Sequence, residues 1–360
     1  MTQSGGTPPS GTPPEDALDL VLRLVRYLFG RAFKEEATAT WSAPGPVVLL
    51  GAAPGGPALA VVTRWGAKVA GRLRADGRLQ VCAVHDSDDD MVVNLATQEA
   101  EAAPPWSAGI PELAYSLLSP EFGGASLLAF MDVPDESGIL AGAALHTALA
   151  LALADLSGSQ ESELHRRAEL KVDPAALLAA LGGQGETAAA YAASLLGRHG
   201  YAILLTPGRG AARHVAFDPT AAGLRLVLMS ARPDAGAPPR QRWAADPSDD
   251  ARAGAAAAAI AAQDWPRLGT LLTAAHRAGL GLRDPVDADL LVDSALATGA
   301  LGGRATSSTT AFALVPVRSL RDLRAAARHA FAERGRSAPR FLTTGALPPP
   351  AEGSDSLLAG

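Results

Sequence analysis

Sulfur and lysine are scarce in this chain of 360 residues. The single cysteine, Cys82, excludes an intramolecular disulfide and a cysteine-based zinc site, and makes a reducing, cytosolic setting the expectation. Lysine occurs only at Lys34, Lys68 and Lys171, with arginine supplying the remaining positive charge, a bias of composition rather than a sign of function. Net positive charge is also lacking. A balance of −6 argues against nucleic acid or an anionic membrane as the main partner. No long run is apolar throughout. Ile139 to Leu156 comes nearest, but it is mostly alanine, His146 and Asp155 interrupt it, and a buried helix is expected. The segment from Met1 to Pro14 has neither basic residues nor an apolar stretch, so it reads as a loose tail and not as a signal peptide.

What is present is a globular composition, 48% apolar and 19% charged, in a chain long enough for two domains. Apolar spacing predicts a helix over Glu15–Phe33, then short strands at Val47–Leu50 and Ala58–Val62. Strands at Ala67–Arg74 and Leu79–Val84 flank Asp76-Gly77, which predicts a hairpin. The acidic run His85–Asp90 lacks the glycine and glutamate of a calcium loop, Met91 and Thr97 standing there instead, and reads as a solvated turn. Helices are expected up to Leu118, around Glu161–Glu169, and over Pro174–Leu196 with a break at Gly182–Gly185. A hairpin joins Tyr201–Leu205 to His214–Phe217; its Gly208-Arg209-Gly210 is a turn and no dinucleotide site. Leu224–Met229 reads as a strand and Ala231–Pro247 as a surface loop. Helices at Ala251–Ala262, Trp265–Ala278 and Pro285–Thr298 follow, then strand Thr309–Pro316, helix Leu320–Arg334 and strand Ala338–Thr344. This interleaving predicts an α+β protein in two halves, 15–205 and 206–347, with tails at 1–14 and 348–360.

The stretch from Met131 to Leu156 organises the rest: a strand end, a tight turn at Pro134–Gly138, and a long helix. Such a turn feeding a helix N-terminus is an anion site, because the first N–H groups point outward together. Here the turn carries Asp135 and Glu136 where a phosphate-binding turn has glycine.

In order and spacing, several motifs resemble galactokinase, of the GHMP family of small-molecule kinases. They are Trp41-Ser42-Ala43-Pro44-Gly45, Asp132-Val133-Pro134 with Gly138 and Ala143-Ala144-Leu145, Ala168-Glu169, and Ala193-Ser194-Leu195-Leu196-Gly197. Further matches are Arg213-His214-Val215, Phe217-Asp218-Pro219, Ala275-His276, Gly299-Ala300-Leu301-Gly302 with Arg304 and Thr306, and Ala313-Leu314-Val315-Pro316. The resemblance implies a two-domain GHMP-kinase-like fold with a cleft between the domains. It also implies phosphoryl transfer from Mg-ATP to the anomeric hydroxyl of galactose, resting on positioning and charge neutralisation.

The residues that would perform that chemistry depart from the family pattern. Pro46 stands at the family's arginine, and a proline has neither charge nor donor. Ala52-Ala53-Pro54-Gly55 replaces the residues that grip the sugar. The phosphate loop matches Glu136, Ser137, Gly138, Ile139, Leu140, Ala141 and Gly142, with Glu136 at a glycine and Gly142 at a magnesium-binding serine. Two like charges at 4 Å repel by roughly 1 kcal/mol in water and about 4 at an effective dielectric of 20. Glu136 therefore opposes a nucleotide in that turn. Glu169 matches the second magnesium ligand, and is equally a plain helix acid. Ala190 occupies the position of the catalytic aspartate, and the nearest carboxylate, Glu186, sits one turn earlier, about 6 Å away. Ser307-Ser308-Thr309-Thr310 replaces the glycine-rich third motif. His146 and His276 read as packed structural residues.

Three readings follow. The first is a galactokinase-like pseudoenzyme kept for binding or assembly, with Asp135, Glu136 and Ser137 occupying the place of the phosphates. The second is an active kinase for another small substrate, using Glu169 with Glu186 or Asp132. The third is a non-catalytic sensor of a sugar or nucleotide. A protein partner is not legible from sequence.

Overall fold

The structure, a computed structural model, describes residues 14–51, 53–119, 121–134, 137–161, 173–206, 212–232, 248–280 and 286–344. The helix expected around 161–169, the loop 231–247 for the most part, and both tails lie outside the described residues, as do Glu136 and Glu169.

Two sheets and the helices around them make up the fold, an α+β architecture. The first sheet runs β5-β4-β3-β6-β2-β7-β8, with β1 also paired to β2. Its strands are β1 (Ala39–Gly51), β2 (Ala58–Leu73), β3 (Arg78–Ala83), β4 (Asp86–Asn94), β5 (Glu99–Ala102), β6 (Gly124–Met131), β7 (Tyr201–Leu205) and β8 (Arg213–Ala216). The second sheet runs β10-β11-β9-β12, from β9 (Leu224–Ser230), β10 (Gly302–Ala305), β11 (Thr310–Pro316) and β12 (Arg340–Thr344). The helices are α1 (Pro14–Phe33), α2 (Ile110–Leu117), α3 (Ala141–Glu161), α4 (Pro174–Leu181), α5 (Glu186–Leu196), α6 (Ser248–Ala261), α7 (Trp265–Leu280), α8 (Asp287–Ala297) and α9 (Leu320–Ala332).

Alternation along the strands sorts the core. Val69, Leu79, Val81 and Leu127 face α2, α3 and α4, while Ala70, Cys82 and Leu128 face Val25 and Phe29 of α1. In the second sheet Val227, Met229, Ala313 and Val315 pack on α8 and α9. Their neighbours Leu226, Leu228, Phe312 and Leu314 join Val47, Leu49 and Leu59 of the first sheet in one core with α6 and α7. The two sheets are thus welded by shared apolar packing. Helix α3 is long and apolar enough to cross a membrane, but 56% of its stretch Ala141–Gly158 is buried within the protein, and Asp155 accepts a hydrogen bond from the Trp41 indole at 3.0 Å.

Several local expectations are corrected. The hairpin at Asp76-Gly77 does not form, because β6 lies between β2 and β3, antiparallel to the first and parallel to the second. The N–H groups of Arg74 and Gly77 bond the carbonyls of Gly124 and Gly123 instead. A turn dipeptide gains a couple of hydrogen bonds; a largely buried, mostly apolar strand such as β6 gains far more by pairing on both edges. The run 86–90 belongs to strand β4, paired to β3, and not to a turn. Val47–Leu50 is the end of a 13-residue strand, and 58–62 and 67–74 merge into the 16-residue β2. Strand β10 arises at Gly302-Gly303, where only a glycine motif had been read.

Candidate functional site

The first and second motifs meet where β1 bulges beside the start of α3. Two prolines flank Gly45 there, neither can donate to a strand ladder, and the register against β2 slips between Pro44 and Pro46. The freed carbonyls find partners on three elements. Ser194 Oγ of α5 donates to Pro44 O at 2.8 Å, Thr63 Oγ1 to Gly45 O at 3.0 Å, and the Leu140 N–H to Pro46 O at 3.0 Å. Pro46 therefore contributes an acceptor at the place where the resemblance implies a cation.

The turn before α3 is closed by similar bonds. Ser137 is buried, and its hydroxyl accepts from the Ile139 N–H at 3.3 Å. The Ala141 N–H donates to Ile139 O at 3.0 Å and the Ala143 N–H to Leu140 O at 3.0 Å. Gly138 holds φ at +83°, a conformation glycine adopts without strain, and packs against Thr306 and Thr310 of the second sheet. Ile139 sits in the core shared by both sheets. Gly142 is exposed with open space beside it, so a hydroxyl side chain at that position would fit. Of the seven loop residues, Ser137 to Gly142 are brought together as one turn, and Glu136 falls outside the described residues.

Position 190 is apolar in its surroundings as well as its side chain. Ala190 is 1% exposed and packs with Ala143, Tyr191, Leu140, Leu178 and Leu181. Glu186 begins α5 at the half-buried end of the same helix. Asp132 is strapped to β2: its carboxylate accepts from the Gly66 N–H and from buried Lys68 Nζ, both at 2.6 Å. Among the described residues no group of three or more His, Cys, Asp or Glu side chains could hold a metal ion.

In place of the third motif stands a cluster of hydroxyls joined at Thr310. Thr310 Oγ1 lies 2.9 Å from Thr306 Oγ1 and 2.7 Å from Ser307 Oγ, and Ser307 Oγ also accepts from the Thr310 N–H at 3.1 Å. The histidines are built into the packing. His146 Nδ1 lies 2.8 Å from the Tyr191 hydroxyl, and burial pushes the imidazole below its usual range and the tyrosine above its own. Burial, and then the nearby Lys68 charge, push His199 down in the same way. His276 Nδ1 accepts from the Ala305 N–H at 3.4 Å, with Asp289 at 3.9 Å from its other nitrogen.

Beside this turn the sequence reading missed a cleft of about 440 Å3, lined by Ser137, Ser230, Phe341 and four arginines, Arg232, Arg324, Arg328 and Arg340. The signal that could have found it is the charge of 318–340, with seven arginines against Asp322 and Glu333.

No protein-family model matches the sequence, and no curated protein matches it. Solved structures do. A galactokinase from Lactococcus lactis, complexed with galactose, aligns over 91% of this chain and 98% of its own at a TM-score of 0.71 and 18% identity. Phosphomevalonate kinase from Streptococcus pneumoniae, in complex with phosphomevalonate and AMPPNP, covers 85% of this chain and 100% of its own, with a TM-score of 0.59 and 13% identity. Mevalonate kinase from Methanococcus jannaschii covers 86% and 98%, with a TM-score of 0.54 and 11% identity. With its two welded sheets and the turn at Ser137–Gly142 entering α3, the chain has the fold of the GHMP small-molecule kinases.

Proposed function

We propose that this chain is a galactokinase-like protein that no longer phosphorylates galactose and is kept for binding or assembly, in a cytoplasmic setting. The observation that carries the reading is Ala190, whose position on α5 is packed among Ala143, Leu140 and Tyr191, where an ionised carboxylate would be stranded in apolar surroundings. The neighbouring turn supports it. The N–H groups of Ile139, Leu140 and Ala141 bond Ser137, Pro46 and Ile139 and so are engaged by the chain itself, and Gly142 offers magnesium no ligand atom. The residues described here therefore fit Mg-ATP poorly, and no phosphoryl step is assigned to them. On this reading Asp135, Glu136 and Ser137 take the place of the phosphates. Purified protein given galactose and Mg-ATP is expected to show no phosphotransfer. Turnover at about 1 to 100 per second, the ordinary range of kinases, overturns the proposal.

A second reading, an active kinase for another small substrate, is favoured by one observation: the fold is shared with kinases whose substrates are mevalonate and phosphomevalonate. It requires that Mg-ATP raise the unfolding temperature, since a ligand at 100 times its dissociation constant adds about 2.7 kcal/mol. It also requires that Glu169→Ala remove the effect. Calorimetric titration with galactose and ATP, singly and together, separates both readings from a sensor that binds without turnover.

A further inference from the structure

The charge of the molecule is unevenly distributed. Between 318 and 340 the balance is +5, in a chain whose overall balance is −6. Helix α9 sets Arg324 and Arg328 one turn apart, with about 5–6 Å between their Cβ atoms. Strand β12 brings Arg340 opposite Ser230, two residues before Arg232. All four arginines are exposed and line the same cleft. Some arginines elsewhere in the chain are paired, Arg72 with Glu35, Arg74 with Asp76, Arg78 with Glu101 and Arg336 with Asp287. Among the described residues, the guanidinium groups of Arg232, Arg324, Arg328 and Arg340 make no hydrogen bond or ion pair. Four like charges converging on one cavity repel one another. An anion in the cavity reverses the sign of that interaction.

We infer that this cleft binds a small organic phosphate carrying at least two negative charges. Guanidinium groups present planar, paired N–H donors matched to phosphate oxygens. Two sets, Arg324 with Arg328 and Arg232 with Arg340, provide for two phosphoryl groups. The floor supplies Leu228 and Phe341 for an apolar or ring-like body. A volume of about 440 Å3 lies in the range of small-molecule sites, roughly 300–1,000 Å3. The cations come from the second sheet and α9 rather than from the amides of Ile139 to Ala141. The site therefore stands whether or not the kinase reaction has been lost.

The test is calorimetric titration of the full chain with inorganic pyrophosphate, with fructose 1,6-bisphosphate and with sulfate at matched ionic strength. The wild type is compared with Arg324→Ala/Arg328→Ala and, separately, Arg340→Ala; these exposed changes leave the fold in place, which unchanged melting checks. Binding of the bisphosphate is expected to exceed that of sulfate and to weaken at least tenfold in the double variant, with a smaller loss in Arg340→Ala. Arg267→Ala, an exposed change on α7 away from the cleft, is expected to leave it unchanged. Binding that survives both arginine variants, is weakened as much by Arg267→Ala, is matched by sulfate, or is absent at millimolar concentration overturns the inference.

Discussion

The start of α3 and the arginine cleft share Ser137 and face opposite fates. At the first, polar groups that a ligand would use are engaged by the chain: three backbone amides, three carbonyls of the Pro44–Pro46 bulge, and the hydroxyls of Ser137, Thr63 and Ser194. At the second, four charged side chains line a cavity without such partners among the described residues. Buried polar groups must be paired within the protein, whereas exposed ones can wait for a ligand. The lesson is that retention of a motif locates a fold, while the state of its donors and acceptors decides whether it can still bind.

The comparison breaks most sharply at Ala190. Ala190→Asp puts a carboxylate into an apolar cluster and is expected to cost about 3–5 kcal/mol, read as a lower urea midpoint. A variant of unchanged stability would mean that the site is wetter than its packing implies. Ser194→Ala leaves Pro44 O without its donor and is expected to cost about 1–3 kcal/mol, while Arg324→Ala on the cleft side changes stability by no more than about 0.5 kcal/mol.

Acid sharpens the contrast further. Burial holds the folded-state pKa values of His146 and His199 below 6.5, so the unfolded chain takes up protons first as pH falls. Stability is therefore full above about pH 6.5, declines as pH drops below it, and stops declining from this source once the folded-state pKa values are passed. Urea titrations at several pH values check this, and His146→Gln is expected to flatten part of the slope. The smallest effect is at Gly142→Ser. Its side chain enters open space, and stability should rise or hold within about 0.5 kcal/mol, with no galactose phosphorylation gained. Activity appearing on that single change would show that the donors of the turn are still available.

Much of the fold was legible, because long apolar periods are set by burial on one face. The helices from α6 to α9 and strands β9 and β11 follow their patterns closely. The failures have a common cause in neighbours distant along the chain. Asp76-Gly77 is a sound hairpin signal that loses to β6, whose pairing no local window contains. Strand β10 hides in Gly302-Gly303 because its glycines serve a close approach: a side chain on Gly302 would strike the backbone of Gly269 on α7. At the site, the resemblance pointed to the positions whose side chains had changed, and it could not say how their backbone groups were satisfied. The arginine cleft went unread because its cations come from α9, β12 and the end of β9, far apart until the second sheet forms.

The insertion of β6 between β2 and β3 also orders events in time. While the chain is being made, residues up to Ala102 can form the β1–β2 pair and the β3–β4–β5 ladder, each with a bare edge facing where β6 will lie. Those edges stay open until residues 124–131 emerge and bridge them, closing a long loop in one step. A chain stopped short of residue 124 therefore lacks the strand that covers both edges. A fragment ending before Gly124 should aggregate where one that includes Met131 has the strand needed to seal them.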